Sequence, residues 1–404
     1  MKFNLITLLL LTLLTWSCQN ETNLQQASST QDIDLPKLLD RHADLRQGTE
    51  WDQIQRLYVT QQQALRKDPQ DAEAYLKLAQ IFINEARITG EHGHYYPGAL
   101  EVIKKGLAQP LVNADLRFQM LSTRASVELS QHDFTNALAT AEEAVKLNPY
   151  NAQIYGALVD ANVELGNYTQ AVAMADKMVS IRPDLRSYSR VSYLREIHGD
   201  VDGAIEAMKM AVTAGFPGQE ATCWARLTLG ELYETYGYPA EAKEQYTLAL
   251  AEREDYPFAM AKLATLKTEE GDLAAAEEEL LAAAAIIPEI GFYTDLASIY
   301  KQQGDQEKLE AALTEIQVML QDDVNSGHRM DMEYAFIYLE LYESPEQALV
   351  YATQEYERRP ENIDVNRLLA RIYTSMGNKE LADQHLVKAG VTNSKHPELL
   401  ALAD

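Results

Sequence analysis

Small, apolar and polar positions recur in the same order along most of the chain, with a period of about 34 residues. The stretches that begin at Tyr155, Leu229 and Leu263 each hold an early small residue, a glycine, a short polar turn, an alanine and a second apolar segment. Segments of this length and composition favour α-helices. A short turn between them places two helices side by side and antiparallel. The chain is therefore predicted to be all-α and built of repeated helical hairpins.

The most regular position of the repeat is the residue that opens the second helix. A side chain larger than alanine at this point would push the two helices of a hairpin apart. Eight of the nine residues at this position are alanine: Ala99, Ala137, Ala171, Ala204, Ala242, Ala276, Leu309, Ala348 and Ala382. The facing position on the first helix is also small, at Ala79, Ala125, Ser192, Gly230, Ala264, Ala297 and Ala370.

Glycine and proline mark the predicted helix ends. A glycine before the turn allows the left-handed conformation that ends a first helix. A proline after the second helix cannot continue that helix. The glycines are Gly166, Gly199, Gly237, Gly271, Gly304 and Gly377, and the prolines are Pro149, Pro183, Pro288 and Pro360.

Together these positions resemble the tetratricopeptide repeat, a hairpin of two antiparallel helices. The resemblance covers residues 72–390 and implies a right-handed α-solenoid of about nine to ten hairpins. Residues 34–71 are expected to add one more helix pair, with "WDQIQRLYVTQQQALRKDP" as its second helix. Residues 391–404 are expected to form a short helix that caps the last hairpin.

The N-terminus carries a pattern typical of export. The apolar run Leu5–Leu14 is too short to span a bilayer and matches the core of a signal peptide over residues 1–17. The "TWSC" that follows resembles the lipobox of bacterial lipoproteins, which implies lipidation of Cys18. The polar stretch 18–33 would then be a flexible tether. The alternative is an ordinary secretory signal cut after Ser17, with Cys18 unmodified.

The composition narrows the possible partners. The formal net charge is −26, from 61 acidic and 35 basic residues. A surface this acidic repels phosphate backbones and anionic lipid, so we expect no nucleic acid partner and membrane attachment only through the lipid. With Cys18 acylated, Cys223 has no partner for a disulfide and is expected to be buried as a small apolar residue.

Resemblance to the family also places partner-binding side chains along the concave groove of the solenoid. In the middle of the array these positions are acidic or aromatic: Asp160, Glu164, Tyr193, Glu196, Trp224, Glu231, Glu234, Phe258 and Glu269. Toward the C-terminal end they turn basic, at Lys301, Arg367 and Arg371. Such a groove would suit an extended, basic or amide-rich peptide of a protein partner. The alternative is that these charges only solvate the groove.

The stretch "TGEHGHYYPGAL", residues 89–100, concentrates polar and aromatic residues where the repeat predicts a turn. It reads as an inserted loop at the end of the first hairpin, and its residues of interest are Glu91, His92, His94, Tyr95 and Tyr96. A metal needs three or four converging ligands, and no other His or Cys lies near in sequence, so no metal site is expected. The two remaining interpretations are a packed loop whose tyrosines cover the hairpin and a loop that contacts a partner.

No catalytic signature is present. The sequence lacks G-x-S-x-G, a phosphate-binding G-x4-G-K-[ST] loop and H-E-x-x-H. "HGDVDG" starts like a calcium loop, but Ala204 and Ala211 stand where ligands are required. The other histidines (His42, His132, His198, His328, His385 and His396) look isolated. Neither an enzymatic activity nor a cofactor is therefore expected.

The sequence therefore predicts a lipid-anchored scaffold for protein–protein interaction in the bacterial cell envelope, at the outer membrane or the periplasmic face. A role in the assembly of a membrane or secreted complex would fit such a scaffold. The alternative is a lipoprotein similar to SusD, which binds glycan or another small ligand for uptake. Proteins of that class carry a large subdomain outside the repeats, and no segment outside the repeats here exceeds about fifty residues.

Overall fold

A computed structural model describes residues 35–403, apart from Gln47 and Leu111. Within these residues the chain forms twenty α-helices, one short 3-10 turn at Ala43–Leu45 and no strand. The helices are α1 Glu50–Lys67, α2 Ala72–Thr89, α3 His92–Leu107, α4 Ala114–Ser130, α5 Phe134–Leu147, α6 Ala152–Glu164, α7 Tyr168–Ile181, α8 Leu185–Ile197, α9 Val201–Ala214, α10 Glu220–Thr235, α11 Pro239–Glu252, α12 Pro257–Glu269, α13 Leu273–Ile286, α14 Ile290–Gln303, α15 Gln306–Asn325, α16 Asp331–Glu340, α17 Pro345–Arg358, α18 Ile363–Ser375, α19 Lys379–Ala389 and α20 Pro397–Ala403.

Nine consecutive helix pairs, from α2 and α3 to α18 and α19, pack as hairpins and stack side by side. The predicted all-α solenoid is confirmed. Every residue of the alanine series is buried, with Leu309 at 9% exposure the least covered member. The six predicted glycines all adopt a left-handed conformation, with φ between +70° and +85°. The register read from the sequence is therefore correct through the whole array.

In the other three hairpins, the left-handed residue after the first helix is not one of the six predicted glycines. The left-handed residue is Gly90 in the first hairpin, His132 in the second and Glu343 in the eighth, with φ of +74°, +58° and +50°. A residue other than glycine is uncommon in this conformation, although Asn, Asp and His adopt it more often than the others do. His132 and Glu343 therefore hold a strained backbone that the surrounding contacts must maintain.

The segment before the hairpins differs from the expected helix pair. Only α1 is helical there, and residues 35–42 run without regular structure before the 3-10 turn. Arg41 anchors this segment, because its buried guanidinium donates to Glu85 at 2.6 and 2.7 Å and to Glu50 at 3.0 Å. Leu45 then inserts into the core of the sixth and seventh hairpins. Tertiary contacts with distant hairpins thus replace the first helix of the predicted pair.

At the other end of the chain, α20 packs against α18 and α19. The predicted signal peptide, Cys18 and the tether lie outside the described residues. Within the described part, none of the helices is both long enough and apolar enough to cross a membrane. Cys223 is fully buried, and burial raises the pKa of its thiol to about 11.

Contacts between distant hairpins close the solenoid on itself. Turns inside hairpins of the first half meet the connections between hairpins of the second half. Gln131 Nε2 donates to Ser326 O at 3.1 Å, and the Ile363 amide donates to Tyr168 Oη at 2.8 Å. Each of these bonds joins residues 195 positions apart. We call these contacts the seam, which joins residues 131–134, 164–168 and 199 to residues 326–333, 359–363 and 393–395.

The seam requires glycine at one of its turns. A Cβ on Gly166 would lie 2.6 Å from the backbone of Glu361, whereas a Cβ on Gly237 would meet nothing within 4 Å. Both glycines have a left-handed φ, of +79° and +84°. The two positions therefore differ in the seam contact and not in backbone conformation.

Substitution of these two glycines separates the seam from local backbone strain. We expect Gly237→Ala to cost about 1–2 kcal/mol, the usual penalty for a left-handed alanine. Gly166→Ala should cost about 1–3 kcal/mol more, because the added methyl group overlaps the backbone of Glu361. Urea denaturation measures both losses, and small-angle scattering should show a larger radius for Gly166→Ala alone. Equal losses and equal radii in the two variants would show that the seam does not hold the solenoid closed.

Candidate functional site

The seam encloses the concave face in a lumen with three adjoining cavities. Their volumes are about 750, 460 and 270 Å³, and we call them the first, second and third cavities. Asp364 and Arg367 line both the first and the third cavity. Tyr193 and Glu196 line both the second and the third. The cavities therefore form one continuous interior surface, to which both halves of the chain contribute.

A buried arginine joins the two walls of this lumen. The Arg359 guanidinium donates to the carboxylates of Glu164 across the seam and of Glu355 on its own helix. It also lies 4.9 Å from the ring centroid of Phe134. Burial raises the pKa of Glu164 although Arg359 attracts its carboxylate. Loss of the guanidinium would leave Glu164 without a basic partner among the described residues, which is the costly way to break a buried ion pair, while Glu355 would keep its pair with Arg358.

The structure brings together five of the nine groove residues that the sequence predicts. Asp160, Glu164, Tyr193, Glu196 and Trp224 all line the second cavity, between α6, α8 and α10. The other four lie away from the three cavities. Glu231, Glu234 and Glu269 follow the same face further along, and Phe258 packs against the rings of Tyr256 and Phe292.

Most of the predicted acidic groups have partners within the chain. Asp160 accepts a hydrogen bond from Arg190 Nε at 2.8 Å, and Glu231 pairs with Lys262 at 2.9 Å. The carboxylate of Glu234 accepts from the Tyr246 hydroxyl at 2.7 Å. Glu196 similarly accepts from the Tyr236 hydroxyl at 3.3 Å. The centre of the groove is therefore less acidic than the sequence alone predicts.

The second cavity also contains basic residues that the sequence analysis missed. Arg87 and Arg190 line it together with Arg186. Arg87 lies 3.7 Å from Glu220, and Arg190 is held by Asp160. The Arg186 guanidinium makes no ion pair with the described residues, and burial followed by repulsion from Arg87 lowers its pKa. Arg186 and Arg190 lie four residues apart on α8, whereas Arg87 comes from α2, so the sequence gives no local signal that the three arginines meet.

The expectation of a loop at residues 89–98 is wrong, because α2 continues to Thr89 and α3 begins at His92. Tyr95 is fully buried, and its hydroxyl accepts a hydrogen bond from the Leu39 amide at 3.0 Å. His94 Nε2 lies 2.7 Å from Lys37 O. This side of α3 therefore holds the N-terminal segment against the first hairpin.

The other side of α3 faces the seam. Tyr96 is 4% exposed, and its ring centroid lies 5.5 Å from that of His328. The His92 ring stacks on Tyr96 at 5.1 Å and lies 6.1 Å from His328. Glu91 is exposed at the N-terminus of α3. The stretch thus packs the first hairpin against both the N-terminal segment and the seventh and eighth hairpins.

Three histidines that look isolated in the sequence meet in the first cavity: His92, His132 and His328. His132 Nδ1 lies 3.0 Å from Arg329 O and 3.9 Å from Glu333 Oε1. Burial lowers the pKa of His328 to about 4, so its imidazole is neutral at pH 7. Among the described residues, no three His, Cys, Asp or Glu side chains are placed to hold a metal ion.

Carboxylates surround the histidines, and few basic groups compensate the negative charge of these carboxylates. Burial, together with repulsion from Asp323, raises the pKa of Glu289 to about 7. Burial and the nearby Glu333 raise the pKa of Asp323 to about 6. On the far wall, burial raises the pKa of Asp295 to about 6 against the attraction of Lys262. The first cavity is therefore an unusually acidic interior surface.

Comparison with known proteins identifies the repeat. Residues 128–195 match the family model described as "Tetratricopeptide repeat". "Protein SGT1 homolog" of rice, Oryza sativa subsp. japonica, is 32% identical over 76 residues, which are 19% of this chain and 20% of that protein. The match thus spans about a fifth of the relative's length. The chain contains tetratricopeptide repeats.

Two solved structures are similar over most of the chain. The APC/C hetero-tetramer Cut9–Hcn1 is similar over 89% of this chain and 60% of that chain, with 14% identity and a TM-score of 0.46. The human IFIT1 dimer with m7Gppp-AAAA is similar over 84% of this chain and 86% of that chain, with 12% identity and a TM-score of 0.47. Neither likeness bears on what this chain binds.

The raised pKa of Glu289 predicts how stability depends on pH. The folded protein holds a proton on Glu289 up to about pH 7, whereas the unfolded chain releases it near the ordinary value of 4.5. The free energy of unfolding should therefore fall as pH rises from about 5 to 7, by at most about 1.4 kcal/mol per pH unit for this proton, and level off above the folded pKa. The lowered pKa of His328 has the opposite effect and makes the free energy of unfolding rise with pH. It does so only between the folded pKa of about 4 and the ordinary value of 6.5.

Urea denaturation at pH 5, 6, 7 and 8 measures this fall as the difference between the wild-type protein and Glu289→Gln, because the histidines and the other carboxylates are present in both. The charged groups that face Glu289 from the neighbouring helices are Arg87, His92, Asp323, His328 and Glu333. Glu289→Gln should flatten the fall in stability, and the exposed control Glu307→Gln should leave it unchanged. A slope that survives Glu289→Gln would assign the proton to another group.

Proposed function

We propose that this array of tetratricopeptide repeats binds an extended segment of a partner protein in its lumen, while a lipid on Cys18 holds it at a membrane of the bacterial cell envelope. The proposed role is binding and presentation of the partner, without catalysis. It suits the assembly of a membrane or secreted complex, because a tethered scaffold raises the local concentration of its partner.

Two exposed aromatic side chains inside the lumen carry this proposal. Trp224 is 40% exposed and Tyr193 is 37% exposed, and both line the second cavity. Large aromatic residues left open in a concave surface are typical anchors of protein interfaces, because covering them removes much apolar area from water. Arg186 and Arg87 beside them add directional donors for carbonyl or carboxylate groups of the bound segment.

The length of the lumen favours an extended ligand. The three cavities continue into one another through Tyr193, Glu196, Asp364 and Arg367. A segment that followed them would pass from the arginines of the second cavity to the carboxylates of the first. Its backbone amides would find acceptors and donors on both walls, since polar side chains line the whole path.

The proposed membrane tether rests on the sequence alone, since Cys18 lies outside the described residues. The apolar run Leu5–Leu14, the cysteine after it and the polar stretch that follows support it. The first described residues, 35–46, pack against α1–α3. A tether ending there would attach the solenoid to the membrane at its first hairpin.

The second candidate function is binding of a glycan or another small ligand for uptake. The volumes of the first and second cavities, about 750 and 460 Å³, favour it, because small-molecule sites commonly have such volumes. A protein segment should crosslink to several positions along the lumen, whereas a small ligand leaves the same positions without protein attached.

Site-specific photocrosslinking in the native host tests where the partner binds. A photoreactive phenylalanine analogue replaces Trp224, Tyr193 or the control Tyr150, which is 80% exposed and lies outside the three cavities. We expect one protein, attached through one contiguous segment, at both lumen positions and not at Tyr150. Different proteins at the two lumen positions, or the same capture at Tyr150, would contradict lumen binding.

A synthetic peptide of the captured segment then measures the energetic contribution of the anchor. Trp224→Ala should weaken its binding by about 2 kcal/mol, or roughly 30-fold, as expected for an interface anchor. Tyr150→Ala should leave the dissociation constant unchanged in calorimetry. Tyr150→Ala should melt at the wild-type temperature because Tyr150 is 80% exposed, whereas Trp224→Ala should melt slightly lower because Trp224, at 40% exposure, is partly packed.

Lipidation of Cys18 can be tested separately. In a bacterial host fed an alkyne-labelled fatty acid, the full chain should incorporate label and partition into detergent. Cys18→Ala should abolish both results, because the acylated thiol is removed, while Cys223→Ala serves as the control that retains them. Release of unlabelled wild-type protein into the soluble fraction would instead support the ordinary secretory signal.

A further inference from the structure

The first cavity has a charge imbalance that its own residues do not correct. Six acidic side chains and three basic side chains line it. The basic groups are already paired: Lys262 with Glu231 at 2.9 Å, Arg367 with Asp364 at 2.9 Å, and Arg371 with Glu398 at 2.8 Å. The remaining acidic residues are Glu289, Asp295, Asp323 and Glu333.

Three of these remaining acidic groups cluster where α3, α14, α15 and α16 meet. The Glu289 carboxylate makes no hydrogen bond or ion pair with the described residues, and its Oε1 lies near Gly90. Oε2 of Glu333 is buried and lacks a hydrogen-bond partner. Asp323 Oδ1 lies 3.9 Å from His328 Nδ1, too far for a hydrogen bond. Acceptor oxygens therefore outnumber donors in this corner.

His328 is the second observation that points to a ligand. Its side chain lines the cavity at 7% exposure, and neither ring nitrogen makes a hydrogen bond. A neutral imidazole offers one donor and one acceptor. A buried polar group without a partner costs free energy, so such a group commonly marks a bound species. Here the unpartnered ring lies among carboxylates and beside the rings of His92 and Tyr96.

The chemistry of the corner selects an organic cation. An anion would meet unpaired carboxylates, and no metal-binding set of three ligands occurs among the described residues. An ammonium nitrogen carries three donors and binds acceptors at about 2.8–3 Å, compared with about 2 Å for a metal–ligand bond. It therefore suits the acceptors of Glu289, Asp323 and His328, which lie too far apart to hold a metal ion. The competing state is a proton shared among the carboxylates, because burial raises the pKa of Glu289.

We propose that the corner formed by Glu289, Asp323 and His328 binds the ammonium group of a lysine side chain of the partner segment. The inference rests on the proposed function for the source of the lysine, although the corner itself can be probed without a partner. It gives the lumen a polarity, with the arginines of the second cavity at one end and the lysine subsite at the other.

Two small probes that differ only in charge test the corner on the purified full chain. N-acetyl-lysine N-methylamide carries the ammonium group, and N-acetyl-norleucine N-methylamide replaces it with a methyl group. Proton–nitrogen spectra of histidine-labelled protein report binding through His328, which is assigned with His328→Gln. We expect the lysine probe to shift the His328 signal and to bind at least about ten-fold more tightly than the norleucine probe at pH 7.5.

Variants of the acidic side chains show which residues cause the preference for the lysine probe over the norleucine probe. Glu289→Gln and Asp323→Asn, singly and together, should reduce it, with the double variant within about two-fold of no preference. Asp322→Asn changes the same charge one residue away, on the exposed side of α15, and should keep the full preference. Because an ammonium competes with protons for the same carboxylates, binding of the lysine probe should weaken as pH falls from 8 to 6.

The outcomes separate this inference from the proposed function. Equal binding of the two probes, or a preference that survives the double variant, overturns the lysine subsite even if photocrosslinking confirms a partner in the lumen. A lysine preference that depends on Glu289 supports the subsite even if crosslinking finds no protein. Tight binding of free spermidine with no binding of the lysine probe overturns it in favour of a polyamine site.

Discussion

The structure depends on the contact between its two halves at Arg359. The guanidinium reaches Glu164, 195 residues earlier in the chain, and holds Glu355 and the Phe134 ring at the same point. An open solenoid needs only contacts between neighbouring hairpins. Here the seam turns an array of local units into a closed body, and the concave face becomes a lumen with walls from both halves.

Closure determines the chemistry of the lumen. Asp364 and Arg367 face Tyr193 and Glu196 across the third cavity because both α18 and α8 line that cavity. Burial between these walls explains the raised pKa of the carboxylates and the lowered pKa of His328. The same enclosure makes charged contacts stronger than they would be on an open groove, because water screens them less. A ligand that bound in the lumen would therefore also affect the stability of the seam.

The sequence predicts the local structure well because its periodicity encodes contacts between neighbours. Ala242 and Gly237 each require only the adjacent helix or turn, so their positions along the chain are sufficient evidence. Contacts across the seam leave no periodic pattern in the sequence. His132 and His328, for example, look isolated along the chain and come together only because the solenoid turns back on itself. The sequence predicts a loop at residues 89–98 because the repeat places only a short turn there, so the extra residues look like an insertion. The structure instead extends both helices and uses the aromatic residues to fill the space between distant hairpins.

The fixed separation across the seam also constrains how such a chain can evolve. An open repeat array can gain or lose whole units, since each unit contacts only its neighbours. In this protein the turn at Gly166 fits against Glu361 only with the present number of hairpins between them. Duplication or deletion of one hairpin in that interval would shift every later partner by one unit along the seam. Changes in length are therefore expected at the ends of the array, while the count of hairpins inside the closed turn stays constant among its descendants.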